Sequence, residues 1–489
     1  MKRNYNNILA LVLLFFISCS KVQTISKTEQ VSDEDFTDYD IHDHDTYSED
    51  NLTEGLDDEW SETVDEDNDF SDSDINDDSC SDADILKSDI VQEWNKIWGS
   101  AKGDSGYSIV ADSENNVFVG AATYGTFDMN EDILLLKVNS RGEVRWSRQT
   151  GSDLEDNIGS VVVDSEDNIY MAGYTKGTVN GEPNFGKTDA FLIKWNQEGE
   201  KLWAKQWGSD LYERANFVAV DKDDNLYVTG GTDGSMENYH NSSEGFFDIF
   251  ISKFNSDGDM EWTKQWGTGP HDLADSIVVD SLNDKIYITG STEGPLDGNM
   301  KLGSNDVFLT KLDLDGNKEW TRQWGSDDTD MGVSVKVSQS GKVFVLSNTD
   351  GDVFEENEDL LPSDQIALTK FTSDGDYEWT KLWGGGFNSF ALDMVIDSDD
   401  KIFVTGSVAG EFEGFVNEKY PDAFITKWDT EGNIMWNEQW GNDYTNIGSG
   451  IAIDSIRNIY VTGRIEGPFS GVKENDWMDI FLAKFIQEN

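Results

Sequence analysis

"EWTKQWG", residues 261 to 267, is the stretch that decides the fold, because the chain contains close variants of it seven times. The opening tryptophans of these copies are spaced 52 to 59 residues apart, at Trp94, Trp146, Trp203, Trp262, Trp320, Trp379 and Trp436. A second tryptophan follows four residues later in six copies, and Thr150 stands in its place in the second copy. A period of this kind indicates a repeat architecture across residues 92–489.

Each period contains four short runs with strand character. In the second repeat these runs are "SVVVDS", "NIYMAG", "DAFLIKWN" and "KLWAKQWG", which are rich in β-branched and aromatic residues. Tight turns that contain glycine, such as "QEG" and "SDGD", join the third run to the fourth, as in a β-hairpin. Because four antiparallel strands per repeat are typical of propeller blades, the sequence predicts an all-β propeller.

The first copy of the motif, Glu93 to Gly99, precedes every complete repeat, and the last repeat ends after its third strand, "DIFLAKF". Residues 93–99 are therefore a fourth strand without a blade. If this strand pairs with the C-terminal three, the ring closes and an exposed strand edge is removed. The prediction is a seven-bladed propeller with first strands at Ser108, Ser160, Phe217, Ser276, Ser334, Leu392 and Gly450.

The repeats also resemble a known family. The segments "VVDSEDNIYMAGYT", "VAVDKDDNLYVTGGT", "IVVDSLNDKIYITGST" and "AIDSIRNIYVTGRI", each followed by D-x-F-x-x-K and a tryptophan strand, are similar to the SBBP β-propeller repeat of bacterial surface proteins and lipoproteins. The resemblance covers about four fifths of the chain. It implies a propeller in a surface setting and, since that family has no defined chemistry, it implies no activity.

The N-terminus, "MKRNYNNILALVLLFFISCSK", has the layout of a signal peptide. Lys2 and Arg3 precede ten apolar residues, Ile8 to Ile17, a run too short to span a membrane. "FISC" resembles the lipobox of bacterial lipoproteins, which implies removal of residues 1–18 and lipidation of Cys19. Ser20 replaces the aspartate of an inner-membrane retention signal, so we expect the outer membrane, at the cell surface or the periplasmic face. Ordinary secretory cleavage and an uncleaved anchor are the alternatives.

Residues 19–91 are predicted to form an acidic, disordered tether. Residues 20–91 contain 26 acidic residues and three lysines without apolar periodicity, so too little apolar surface is available for a folded core. Four of these acids, Asp65, Asp67, Asp69 and Asp72, resemble the start of the calcium-binding repeats of thrombospondin type 3. That resemblance implies a Ca²⁺ site, but Phe70 replaces the turn glycine, so we expect a solvated spacer and no cofactor, with bound Ca²⁺ as the alternative.

The net charge of the chain limits the classes of partner that it can bind. The formal net charge is −61, from 97 acidic and 36 basic residues, so phosphate backbones and anionic lipid headgroups would be repelled. We therefore expect no nucleic acid partner, a membrane contact only through the lipid on Cys19, and a monomer. The two cysteines, Cys19 and Cys80, both precede the repeats, so the propeller is predicted to contain no disulfide.

Several residues recur in nearly every blade. Third strands begin with an acid and carry a lysine five residues later, as at Asp189 and Lys194, and first strands end in an aspartate, as at Asp164. Residues present in every blade cannot form one catalytic site, so we expect them to satisfy turn amides or to pair between strands. The paired tryptophans share one strand face. We expect them to pack blade against blade, and sugar stacking is the alternative.

The loops between second and third strands vary in length and content, and in a propeller they share one face with the loops that lead into the next blade. That face is acidic and carries scattered Tyr, Phe and Asn. It is the candidate binding surface, and neutral drift of loop sequences is the alternative explanation. The candidate residues on it are Tyr212, Tyr239, His240, Phe354, Phe415 and Tyr420.

Catalytic groups are scarce in the repeats, which hold His240 and His271, no cysteine, and few arginines such as Arg214 and Arg464. The sequence therefore predicts a membrane-anchored extracytoplasmic lipoprotein that presents a non-catalytic propeller for binding or adhesion to a protein or glycan. A periplasmic scaffold for outer-membrane assembly is the first alternative. A carbohydrate-active enzyme, a glycoside hydrolase or lyase, is the second, because paired carboxylates are abundant.

Overall fold

The computed structural model describes residues 90–100, 102–124, 131–236, 239, 245–351, 365–384, 389–412, 415–467 and 478–487. These residues form seven antiparallel sheets of four strands each. One 3₁₀ turn, η1 (Leu296–Gly298), lies in a loop, and no α-helix occurs in the described ranges. Within the same ranges, no helix has the length and apolar character needed to cross a bilayer. The predicted signal peptide and nearly all of the predicted tether lie outside the described residues.

The strand that comes first in the chain, β1 (Ile90–Trp98), belongs to the last blade. Blade 1 consists of β2 (Asp104–Ala111), β3 (Val117–Tyr124), β4 (Glu131–Val138) and β5 (Val144–Thr150). Blade 2 consists of β6 (Asp156–Val163), β7 (Ile169–Thr175), β8 (Asp189–Trp195) and β9 (Lys201–Trp207). Blade 3 consists of β10 (Glu213–Val220), β11 (Leu226–Thr232), β12 (Asp248–Phe254) and β13 (Met260–Trp266).

Blade 4 consists of β14 (Asp272–Asp280), β15 (Lys285–Thr292), β16 (Asp306–Asp313) and β17 (Lys318–Trp324). Blade 5 consists of β18 (Asp330–Val337), β19 (Val343–Thr349), β20 (Gln365–Phe371) and β21 (Tyr377–Trp383). Blade 6 consists of β22 (Phe390–Ile396), β23 (Ile402–Phe412), β24 (Phe415–Trp428) and β25 (Ile434–Trp440). Blade 7 combines β26 (Asn446–Ile453), β27 (Ile459–Glu466) and β28 (Met478–Gln487) with β1.

The ring closes through β1. It pairs antiparallel with β28, from Ile90 opposite Gln487 to Trp98 opposite Ile480. The first strand of each blade contacts the first strands of both neighbours, and β2 contacts β26 at the closure. The seven-bladed propeller and its closure by the N-terminal strand are therefore confirmed. The strand begins at Ile90 rather than Glu93, because the Ile90 side chain is buried in the apolar cluster between blades 6 and 7.

The first strand of each blade starts earlier than predicted. In blade 2 the strand begins at Asp156 rather than Ser160, and its register shifts at a bulge between Ile158 and Ser160. The polar residues that read as loop in the sequence are buried instead, because the carboxylate of Asp156 accepts hydrogen bonds from the Ser152 amide in the preceding loop. All seven first strands have such a bulge.

The apolar core lies between the blades. One cluster joins Trp98 and Leu482 of blade 7 to Leu134 of blade 1, and each of the other blade junctions has a similar cluster. Both faces of the middle strands are covered by neighbouring blades, so every residue of β8 and β11 is buried. This is why those strands read as unbroken apolar runs in the sequence.

The repeated charges serve the scaffold, as predicted. Lys194 lies 3.4 Å from Asp164 of its own blade and donates to the Ser256 carbonyl of the next blade. Asp164 accepts hydrogen bonds from the Glu166 and Asn168 amides of its turn. The corresponding lysines in later blades donate to the next hairpin in the same way, at Lys311, Lys370 and Lys484.

The tryptophans pack blade against blade, which confirms the packing prediction rather than a sugar-stacking stripe. The indole N–H of Trp203 donates to the Ser256 carbonyl of the next blade. The second tryptophan of the same strand, Trp207, is 7% exposed and packs edge-on against Phe254, with ring centroids 4.8 Å apart. Each such ring removes a large apolar area from water.

Candidate functional site

The loops that vary between repeats lie together on one face, called here the loop face. It consists of the loops between the second and third strands of a blade and the loops that enter the next blade. The two kinds are hydrogen-bonded to each other, as where the Lys187 amide donates to the Leu211 carbonyl and the Glu293 amide donates to the His271 carbonyl. The predicted sharing of one face is confirmed.

The candidate residues on this face are not all in one place. Tyr420 stacks on Tyr444 with ring centroids 6.2 Å apart. Phe415 belongs to β24, because the predicted loop of blade 6 is a hairpin in which Gly410 pairs with Asn417. Its assignment to a loop was therefore wrong, because the backbone pairing of β23 with β24 continues as far as Phe412 opposite Phe415. His240 and Phe354 lie outside the described residues, as do Cys19, Asp65, Asp67, Asp69 and Asp72.

A second group lies on blades 2 to 4 and surrounds Asp233. The Tyr212 amide donates to Asp233, and the Lys187 ammonium lies 4.5 Å from the centroid of the Tyr212 ring. Burial raises the pKa of Asp233, and the nearby Lys187, Arg214 and His271 counteract that rise. Burial lowers the pKa of His271, which favours the neutral imidazole. The Tyr239 amide donates to the Met236 carbonyl within the same loop, between β11 and β12.

Pairs of carboxylates meet beneath the loop face where two blades join. At Gly208, a Cβ atom would overlap Glu213 Oε2 and would lie 2.8 Å from Asp189 Oδ1, so the two acids converge on space that only glycine leaves. Burial, with the charge of Asp189 adding to it, raises the pKa of Glu213 to about 7. Burial and Asp248 likewise raise the pKa of Asp272 to about 6.

These paired carboxylates support the loops rather than face a ligand. Glu213 is 0% exposed and accepts hydrogen bonds from the Ser209 amide and the Thr232 hydroxyl. Asp189 is equally buried and accepts from the Gln206 amide group. A carboxylate pair for glycoside hydrolysis must reach the substrate. Within the described ranges, no group of three or more His, Cys, Asp or Glu residues is placed to hold a metal ion.

An open groove of about 620 Å³ lies on the loop face between blades 1 and 2. One wall is the loop at residues 151–155 that enters blade 2, and the other is the loop at residues 176–188 of blade 2. Thr150 lies in the groove, at the position that tryptophan occupies in the other six copies of the motif. We call this cavity the Thr150 groove.

The next junction shows why the groove is open. There, Trp207 shares an apolar cluster with Met236, a residue of the blade 3 loop that covers it. The glutamine beside that tryptophan, Gln206, is 6% exposed, whereas the corresponding Gln149 is exposed. Threonine is much smaller than tryptophan, so the space beneath the blade 2 loop is left for solvent or a ligand.

The lining of the Thr150 groove is mainly polar. Gln149 donates to Asp132, and Lys176 pairs with Glu155 beside the groove. Asn180 is exposed, and its side-chain amide makes no hydrogen bond to any residue that the structure describes. The sequence showed Thr150 as the exception to the motif, but it did not identify the groove, because none of the other lining residues departs from ordinary loop composition.

The fold and the repeats together define the class of this protein, a seven-bladed β-propeller. Residues 145–179, from β5 to the loop after β7, match the family model of the SBBP β-propeller repeat. Residues 145–179 thus carry an SBBP-type repeat within the seven-bladed propeller.

Two curated proteins are similar in sequence. An uncharacterized WD repeat-containing protein of Acanthamoeba polyphaga mimivirus is 23% identical over 462 residues, which cover 72% of this chain and 33% of that protein. The regulatory protein FlaEY of Caulobacter vibrioides is 26% identical over 243 residues, covering 47% of this chain and 24% of FlaEY. The chain thus matches about a third and a quarter of the lengths of these relatives.

Solved propellers of similar fold include enzymes. The polysaccharide lyase Uly1 is 10% identical, with 81% of this chain and 100% of that chain covered and a TM-score of 0.43. A likeness at this level carries no conclusion about activity.

Proposed function

We propose that this protein is a membrane-anchored extracytoplasmic lipoprotein that presents its propeller as a non-catalytic binding module for a protein or glycan. One observation carries the proposal: the repeated polar residues are committed to contacts within and between blades, whereas the loop face departs from the sevenfold pattern. Irregular loops on a rigid scaffold are where binding residues are commonly found.

Exposed apolar side chains on the loop face support a binding role. Leu154, Phe185 and Phe246 are between 41% and 50% exposed, and they belong to loops of three successive junctions. Apolar groups set among acidic and amide side chains are typical of recognition surfaces. The burial of the Asp189–Glu213 and Asp248–Asp272 pairs supports a non-catalytic role.

Binding is tested with the full-length protein against a glycan array and cell-envelope extracts, with and without Ca²⁺ because of the calcium resemblance in the tether. At least one of Leu154→Ala, Phe185→Ala and Phe246→Ala should weaken the capture. Leu282→Ala is the matched control, since Leu282 is 76% exposed in the turn between β14 and β15 on the opposite face. Failure to retain any ligand under every condition would argue against a binding module.

The anchor is tested separately. Replacement of Cys19 by serine should move the protein from the membrane fraction to the soluble fraction and abolish its labelling by a palmitate analogue. Protease treatment of intact cells then distinguishes a surface module, which should be cleaved, from a periplasmic scaffold, which should be protected. A Cys19→Ser variant that stays in the membrane fraction would contradict the lipid anchor.

A further inference from the structure

We infer that the Thr150 groove is a binding subsite for an uncharged, hydroxyl-rich saccharide segment. The inference rests on the proposed binding function and deepens it by naming a site and a ligand class. It starts from an asymmetry: six copies of the motif place tryptophan at this position, and one places threonine. The single departure coincides with the groove.

The size of the groove suits a small part of a ligand chain. Its volume of about 620 Å³ falls in the range of about 300–1,000 Å³ that is typical of small-molecule sites. The groove lies at the molecular surface and is open to solvent, so an oligosaccharide could pass through it without a terminal residue being required. At the next junction the corresponding residue, Trp207, is 7% exposed and belongs to the same apolar cluster as Met236 of the blade 3 loop.

The lining groups match the chemistry of sugars. Thr178 and Asn180 are both exposed, and they offer a hydroxyl and an amide that can donate and accept hydrogen bonds. Leu154, 49% exposed, supplies an apolar surface for the C–H face of a sugar ring. Specificity in such sites comes from a few placed polar groups of this kind.

The local charge disfavours acidic ligands. Asp132 and Asp153 both line the groove, and the lysine in the lining, Lys176, is paired with Glu155. Lys201 donates to the Thr150 hydroxyl beside the groove, so it offsets only part of this negative charge, and a uronate carboxylate would still meet two carboxylates. A folded protein partner is also a poor fit, because Leu154 is the one large apolar side chain in the lining and protein interfaces depend on aromatic or arginine anchors.

The decisive variant is Thr150→Trp, which should fill the groove. Other junctions indicate that the ring can accommodate it. Trp383 packs against Trp428, the counterpart of Trp195, with ring centroids 4.6 Å apart. At another junction the Lys318 ammonium, the counterpart of Lys201, lies 4.9 Å from the Trp266 ring centroid.

A second variant, Asn180→Gly, removes only the amide. Asn180 has a φ of 55°, a left-handed conformation that glycine adopts without strain and alanine does not. The loss of one side-chain hydrogen bond should weaken binding about threefold to tenfold. The two variants act by different means, one by filling space and the other by removing a partner for the ligand.

The full-length protein is titrated with maltotriose, cellotriose, chitotriose and mannotriose, and with trigalacturonate as the acidic probe, by calorimetry and saturation-transfer NMR. At least one neutral trisaccharide should bind, and trigalacturonate should bind at least about tenfold more weakly. Thr150→Trp should reduce the affinity at least about tenfold while the melting temperature is maintained. Asn180→Gly should give the smaller loss.

The outcomes separate this inference from the proposed function. Neutral saccharide binding that survives both variants would overturn the assignment to the Thr150 groove and leave the binding module in place. Capture of an envelope protein, with no response to any trisaccharide, would overturn the saccharide inference alone. Stronger binding of trigalacturonate would overturn the argument from charge. Absence of every ligand, from array, extract and titration, would overturn both proposals.

Discussion

The junction between blades 1 and 2 and the junction between blades 2 and 3 are built from the same motif, yet one is open and the other is closed. Trp207 fills the second junction beneath the loop of blade 3, whereas Thr150 leaves a groove at the first. A carboxylate pair lies beneath each junction, Asp132 and Asp156 at one and Asp189 and Glu213 at the other, although Asp132 lines the groove whereas Asp189 is fully buried. The scaffold is thus shared, and one side-chain volume decides whether a junction can admit a ligand.

The largest effect should come from the junction that joins the chain termini. Deletion of residues 90–98 removes β1, leaves the edge of β28 unpaired, and removes Trp98, which is buried between blades 7 and 1. We expect the melting temperature to fall by roughly 10 °C or more, or cooperative unfolding to be lost. Circular dichroism on heating tests this. A deletion variant that melts with the full chain would show that β1 is dispensable for closure.

The second prediction opens the closed junction. Trp207→Thr should lower the free energy of unfolding by about 3 to 5 kcal/mol, because it creates a cavity next to Phe254 and Met236. The reverse change at the first junction, Thr150→Trp, is the matched control and should stay within about 1 kcal/mol of the wild type. Denaturant titration compares them. Equal losses in both variants would mean that the two junctions do not differ in packing.

The third prediction concerns pH at the closed junction. Burial raises the pKa of Glu213 from its ordinary value of 4.5 to about 7. Its stabilising contribution as a neutral acid is complete below about pH 4.5 and is lost as the pH rises through about 7, an effect on the order of 3 kcal/mol. Glu213→Gln cannot ionise, so its stability should depend less on pH in this window. Denaturant titrations at pH 4.5, 6 and 8 test the slope, and parallel profiles would contradict the prediction.

The smallest expected effect is that of one methyl group. Gly208→Ala should lower the free energy of unfolding by about 1 to 3 kcal/mol, because the new Cβ would meet Glu213 and Asp189, both fixed by hydrogen bonds. Gly151→Ala at the open junction should lower the free energy of unfolding by less. Its new Cβ would lie 2.6 Å from Asp156 Oδ2 and 3.1 Å from Asp132 Oδ1. Thermal denaturation of the pair tests the order. A greater loss at Gly151 would reverse the comparison.

Most of the fold could be predicted from sequence because repeats can be compared with each other. Residues that recur, such as Lys194 and Trp203, were identified as scaffold, and the strand count gave the closure by β1. The hairpin at Gly410 and the early starts of the first strands were missed. In both cases polar or charged residues read as loop, although pairing with the adjacent strand of the same blade holds them in strands.

The sequence predicted which face of the propeller holds the candidate site, but not where on that face the site lies. Tyr212, Arg214 and His271 lie near one another around Asp233, while Tyr420 lies on blade 6 against Tyr444. The sequence contains no signal that separates these groups, because each loop meets residues of the neighbouring blade. Asn180 and Leu154 were not among the candidates, since ordinary loop residues become notable only when they face the same cavity.

The sequence by itself determined the number of blades, the strand that closes the ring, and the position, Thr150, where the repeat departs from its pattern. Each of these follows from periodicity, which is a property of a single chain compared with itself. The tertiary structure alone decided that this position opens a groove and that acids such as Asp189 and Glu213 converge beneath the loops. These features depend on the volume and charge left between segments of different blades, which only packing brings together.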